Sequence, residues 1–147
     1  MTRVFATADE LVAAVGRDLG AGGWIRIDPD RVRTFARVTG DRAWDGGVPG
    51  TLVLSYAAAS LTELFAVPGA STGVNYGLDD VRFGDPVPVG TRVRLHARID
   101  DATPGRAGAV QVAVAVAVER ADTTELACGA RLLARFHLDP TTQEAAR

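Results

Sequence analysis

A chain of 147 residues has the length of a single domain and enough substance to bury its own core. A formal net charge of −2 argues against general nucleic-acid binding, and a lone cysteine, Cys128, excludes an intrachain disulfide and a cysteine-based metal centre. The opening residues carry no apolar signal core and no stretch reads as a membrane span, so a cytoplasmic protein without membrane or nucleic-acid partners is expected.

Taken in order, Thr7 and Glu10 form a capping box ahead of a short helix carrying Leu11, Val12 and Val15, which Gly16 can end. Residues 20–23, rich in glycine, read as a loop, and 24–27 as a short strand with Ile25 and Ile27 alternating against Arg26. Asp28 is a helix N-cap with Pro29 in the first turn; Val32, Phe35, Ala36 and Thr39 share one face of that helix and Gly40 closes it. Residues 51–66 are apolar almost all the way round, with Glu63 as the single charge. A helix without a polar face must be wrapped by other structure.

After Pro68 and Gly69 the pattern turns to strands. Besides 74–83, three long strands are expected. In 91–99, Val93, Leu95, Ala97 and Ile99 alternate with Arg92, Arg94, His96 and Arg98. In 109–119 the valines at 110, 112, 114, 116 and 118 share one face. In Leu126–Leu138 the even positions point inward, while Arg131, Leu133, Arg135 and His137 point outward. The polar tail, about 140–147, belongs to the same single domain as the rest of 1–147. The fold class is α+β: an antiparallel sheet with one apolar face, wrapped around one long central helix, satisfies both elements.

That is the hotdog arrangement, and several segments in order make it specific. Phe35-Ala-Arg-Val-Thr-Gly-Asp41, the helix opening Gly50-Thr-Leu-Val-Leu-Ser55, Val74-Asn-Tyr-Gly-Leu78, Val81-Arg-Phe83 and Pro86-Val-Pro-Val-Gly90 resemble the MaoC-like dehydratases, the group that includes R-specific enoyl-CoA hydratases. The resemblance runs from about Phe5 to Phe136. It implies a site for acyl thioesters, no metal and no bound cofactor. The family pairs an Asp with a His five residues later, and that pair handles the water and the proton. Here the Asp falls on Asp41, Gly46 stands where the His is expected, and Pro49-Gly50 replaces the His-Gly that usually opens the helix. The catalytic diad is thus degenerate.

The remaining candidates are weighed against plainer roles. Gly50 leaves room for a ligand at a helix start whose N–H groups suit an enolate oxygen. Asp41 is either an acid/base or a stop for its own helix. Trp44 and Asp45 occupy the shortened loop, where Trp44 stacks on a flat ligand or seals the core. Tyr56 and Tyr76 offer phenols to a carbonyl or simply pack. Asn75 binds substrate or its own turn. Arg82 meets a ligand anion or pairs with Asp79, Asp80 or Asp85. His96 and His137 fall among arginines on the polar sheet face, which is either balanced by local acids or a docking surface for an acidic carrier protein or for coenzyme A phosphates.

Three functions follow. The first is a repurposed enzyme that cyclises or isomerises an acyl or polyketide-derived substrate in secondary metabolism. The second is a non-catalytic subunit of a heterodimeric acyl dehydratase. The third is a weak enoyl-thioester hydratase or dehydratase. A binding-only role is a further possibility. The expected partners are a small acyl or polyketide-like molecule, free or carried on coenzyme A or a carrier protein, and a second hotdog chain in a homodimer or heterodimer.

Overall fold

A computed structural model describes residues 1–41 and 46–138. Its first elements are β1 (Arg3–Val4), α1 (Ala8–Ala13), β2 (Asp18–Ala21), β3 (Ile25–Arg26), α2 (Pro29–Thr39) and β4 (Gly47–Val48). Then come α3 (Gly50–Leu64), β5 (Phe65–Ala66), β6 (Ala70–Phe83), β7 (Val87–Pro88), β8 (Arg92–Pro104), β9 (Ala109–Arg120) and β10 (Leu126–Leu138).

The caps are where the side-chain chemistry puts them. Thr7 accepts from the Glu10 N–H, Glu10 reaches back to the Ala6 N–H, and Asp28 accepts from the Arg31 N–H. Gly40 ends α2 in the left-handed conformation, φ 75°, and donates to Ala36 O.

The main sheet runs β2–β8–β9–β10–β6, with β3 pairing elsewhere along β8. β2 runs into the stretch expected to be a loop at Gly20 and Ala21, because pairing with β8 needs only backbone groups and Gly20 can adopt φ 86°. The valine face of β9 is buried, and so are Val93, Leu95, Ala97 and Ile99 of β8 and Leu132 and Leu138 of β10. Leu126 departs from the expected alternation: a bulge between Leu126 and Cys128 leaves it exposed.

α3 lies on the inner face against β8, β9 and β10. Val53, Ala57, Ser60, Leu61 and Leu64 point into the core. The expectation of a helix enclosed on every side needs correcting. Thr51, Ser55, Ala59, Thr62 and Glu63 form an exposed stripe of mostly small residues. Ser55 and Thr62 turn their hydroxyls onto carbonyls of their own helix, Thr51 O and Ala59 O. Glu63 accepts from the Gly23 N–H at 3.1 Å and so holds the glycine loop against the end of α3. Among the described residues, no helix is long and apolar enough to cross a membrane.

β6 is the outermost strand on its side, and its path decides where several candidate residues point. Its register with β10 slips three times, the last near the start of the strand between His137↔Thr72 and Leu138↔Ala70. One slip sits at Asp80, which takes φ 52°. Another, between Leu133↔Gly77 and Ala134↔Asn75, leaves Tyr76 as the extra residue.

Candidate functional site

The resemblance expected one constellation; the structure distributes its members over four places. A cleft of about 380 Å³ opens at the start of α3. Its walls are β4 paired with β7, the ring of Phe83, the turn Gly84–Asp85–Pro86, and Ala127. Asp41 and Gly50 both line it.

Each wall has a local cause. Gly40 closes α2, and Asp41 follows directly, its N–H donating to Thr39 Oγ1 at 3.2 Å. The end of α2 is therefore capped by Gly40. At Gly50 a β-carbon would stand 2.6 Å from Cδ1 of Phe83, so glycine is what allows the ring to lie over the helix start. Pro49, the N-cap, makes no side-chain hydrogen bond to the helix, and Leu52 and Val53 donate to its carbonyl. The first N–H groups of α3 have no intrahelical acceptor and carry the positive end of its dipole.

The turn at Asp85 is fixed from three sides. Gly84 donates to Ala127 O at 3.1 Å and lies so near Leu126 O that a β-carbon would come within 2.0 Å of it. Arg120 reaches the carbonyls of Asp85 and Pro86 at 3.5 and 3.4 Å. Arg120 is itself gripped by Asp122 through two hydrogen bonds of 3.0 and 2.8 Å. Hydrogen bonding to Asp122 raises the pKa of Arg120, and the same contact holds the Asp122 carboxyl below its ordinary value. From the sequence, Asp85 reads only as a partner for Arg82. Its position beside a Gly and a Pro is a turn signal, and only the fold brings that turn to the cleft.

The other expected site residues stand elsewhere. Tyr56 lines a separate groove of about 450 Å³ between α2 and α3, with Phe35, Val38 and Leu52, and its hydroxyl accepts from Arg31 at 3.0 Å. Asn75 faces a third cavity of about 330 Å³, near the C-terminal half of α3, with Ala58, Leu61, Phe65 and Phe136. Tyr76 is turned by the bulge onto the outer sheet face, where it donates to Gln111 at 3.2 Å and lies under the Arg135 guanidinium. Arg82 pairs with Gly129 in register and folds back onto Val81 O at 2.9 Å. So Tyr56, Asn75, Tyr76 and Arg82 do not join Asp41 and Gly50. Trp44 and Asp45 lie outside the described residues.

His96 and His137 fall on the outer sheet face, as the alternation expects. His96 is half-buried, not fully solvated: its Nε2 lies 2.9 Å from Glu119, which also receives Arg94 at 2.7 Å. Asp100 takes both Arg98 and Arg131. Arg94 also lies over the Trp24 ring, 4.6 Å from its centre. Local acids thus balance much of the arginine face.

No family model matches the chain. It is 31% identical to 3-hydroxyacyl-thioester dehydratase Z of Mycobacterium tuberculosis, over 91% of this chain and 98% of that protein. The chain belongs to the MaoC-like 3-hydroxyacyl-thioester dehydratase family. Nodulation protein N of Rhizobium meliloti is 29% identical over 89% of this MaoC-like chain and 91% of its own length. Among solved structures, the monoamine oxidase regulatory protein from Archaeoglobus fulgius superposes with a TM-score of 0.79 at 21% identity, covering 95% of this chain and 99% of that one. R-hydratase PhaJ1 from Pseudomonas aeruginosa gives 0.66 at 18% identity, over 85% and 83%. The HadBC 3R-hydroxyacyl-ACP dehydratase complex from Mycobacterium tuberculosis gives 0.59 at 18% identity, over 82% and 96%. These likenesses establish the hotdog fold for the MaoC-like chain.

Proposed function

We propose that the cleft at the start of α3 receives the carbonyl end of an acyl or polyketide-derived thioester and turns it over by enolisation, in an isomerisation or cyclisation instead of ordinary hydration. Asp41 takes a proton from the carbon next to the carbonyl. The helix start, with the Gly50 N–H foremost, holds the negative charge that moves onto the carbonyl oxygen. One observation carries this reading: Asp41 and Gly50 share the cleft, while both histidines of the chain stand on the outer face of the sheet. A carboxylate facing an oxyanion site can move a proton along a substrate. Adding or removing water also requires a group that positions the water.

The test uses three thioesters. Crotonyl-CoA and trans-2-octenoyl-CoA are expected to remain unhydrated. 3-Butenoyl-CoA is expected to be converted to crotonyl-CoA, followed by enoyl-thioester absorbance, with Asp41→Asn about 100-fold slower. Hydration of crotonyl-CoA that disappears in Asp41→Asn would restore the ordinary dehydratase reading.

A second reading, a subunit that shapes the acyl site for a histidine-bearing partner, is supported by the outer edge of β6, with which no strand pairs among the described residues. The HadBC neighbour is itself named as a complex.

A further inference from the structure

We infer that Trp24, Arg26 and Arg92 form a binding site for the nucleotide phosphate of a coenzyme A thioester. The inference rests on the reading of the substrate as a thioester, and not on the enolisation step. Arg26 of β3 and Arg92 of β8 are direct partners in the sheet register, so their side chains leave the same face about 5 Å apart. Like charges set directly opposite one another destabilise a sheet, and nothing in the described chain relieves these two. Neither makes an ion pair among the described residues. The acids that follow them in sequence or register are already engaged: Glu119 by Arg94 and His96, Asp122 by Arg120, and Asp28 by Arg31. Arg135 also lacks an acid among the described residues, but it stands alone over Tyr76.

Trp24, two residues before Arg26, is 40% exposed, and the guanidinium groups of Arg92 and Arg94 lie 5.8 and 4.6 Å from its ring centre. The excess charge is thus confined to two facing side chains beside a flat ring. That suits one dense anion next to a planar base, since guanidinium groups bind phosphate and bases stack on indole. Carboxylates spread over an acidic protein surface would call for arginines spread to match.

The pair lies at the end of the sheet that carries the cleft. The Arg26 guanidinium reaches the turn at Gly90, where a β-carbon would stand 3.7 Å from its Nη2. That turn leaves Pro88, which pairs with Gly47 in the cleft wall. On the next strand Arg120, opposite Val93, holds the carbonyls of Asp85 and Pro86 on another wall. A ligand with its thioester at the helix start and its phosphate on Arg26 and Arg92 runs out over the Gly90 turn.

The probe is adenosine 3′,5′-bisphosphate, titrated calorimetrically into the full-length protein. Arg26→Gln and Arg92→Gln are each expected to weaken binding about 10-fold, and the double variant about 100-fold. Arg135→Gln, on the same sheet face, should bind as wild type does. The double variant should melt no lower than wild type, because it removes facing like charges. With 3-butenoyl-CoA its loss should appear in KM, with kcat within about threefold. Undiminished binding in the double variant, or equal weakening in Arg135→Gln, overturns the site. Binding lost together with a lower melting temperature assigns the arginines to packing and overturns it as well. If wild type ignores the bisphosphate yet binds an apo acyl carrier protein through the two arginines, the partner is an acidic protein and the nucleotide assignment is wrong. If the bisphosphate behaves as expected while no thioester is turned over, the site stands and the enolisation reading falls.

Discussion

At Gly50 the fit between two residues decides what the helix start can accept. A β-carbon there would lie 2.6 Å from Cδ1 and 2.9 Å from Cε1 of Phe83, so the half-exposed ring would have to move aside. Gly50→Ala is therefore expected to cost about 1–3 kcal/mol, the usual penalty of overpacking. Phe83→Leu placed in the same chain should recover part of that loss. Urea denaturation of the two single variants and the double variant measures the coupling. Additive losses would show that the ring is not what keeps position 50 a glycine. The sequence makes Gly50 legible as the opening of a helix and Asp41 as the residue after a helix stop. It does not make Phe83 or Asp85 legible as their neighbours, because residues 33 or more positions apart meet only through the sheet. Tyr76 and Asn75 are adjacent in sequence, yet one bulge sends the first to Gln111 on the outer face and leaves the second in an inner cavity. Parity reads an unbroken strand well and fails at a bulge.

Among the elements, β8, β9 and β10 were readable because one buried face imposes strict alternation, and α2 because Asp28 and Gly40 mark its two ends. β2 was not, since a glycine-rich edge segment pairs through its backbone and leaves no side-chain pattern. The stripe on α3 was not either, because Thr, Ser and Ala look alike to a hydrophobicity count whether buried or exposed. The end of β9 carries a prediction of its own. Arg120, at the strand terminus, ties the turn after β9 to the turn before β7 through Asp122. Asp122 is held below its ordinary value in the folded chain chiefly by its hydrogen bonds with Arg120, so its contribution is present above the carboxylate range and fades as pH falls through the folded value. Asp122→Asn should melt below wild type at pH 7, and the gap should narrow as pH falls below the ordinary carboxylate range. Both chains are compared by circular dichroism melting across that range. The effect is small in an exposed pair, but its sign is fixed. A gap unchanged at low pH would mean that the contact acts through shape and not through charge.

For the whole molecule, the question is what lies against β6. The strand runs over 14 residues and is hydrogen-bonded on one side to β10; among the described residues no strand pairs with its other edge. It also leaves Val74 and Leu78 about half exposed, at 47% and 46%. A long edge with apolar side chains is a template for another strand, and a chain that remains soluble must cover or blunt it. The charge of Asp79 and the twist at Asp80 lie toward one end, which leaves the segment around Val74–Leu78 as the natural place for a second hotdog sheet to continue this one. The cavity behind Asn75 borders the same segment, so an added strand would enclose space next to α3 that the single chain leaves open. Light scattering after size-exclusion chromatography is expected to give a dimer for the isolated protein. The double variant Val74→Lys, Leu78→Lys should run as a folded monomer. Val38→Lys, on the exposed face of α2, should remain a dimer. A monomeric wild type that doubles in mass only when mixed with a histidine-bearing hotdog chain would give the edge to a different partner and favour the subunit reading. A dimer that survives both lysines would remove β6 from the interface altogether.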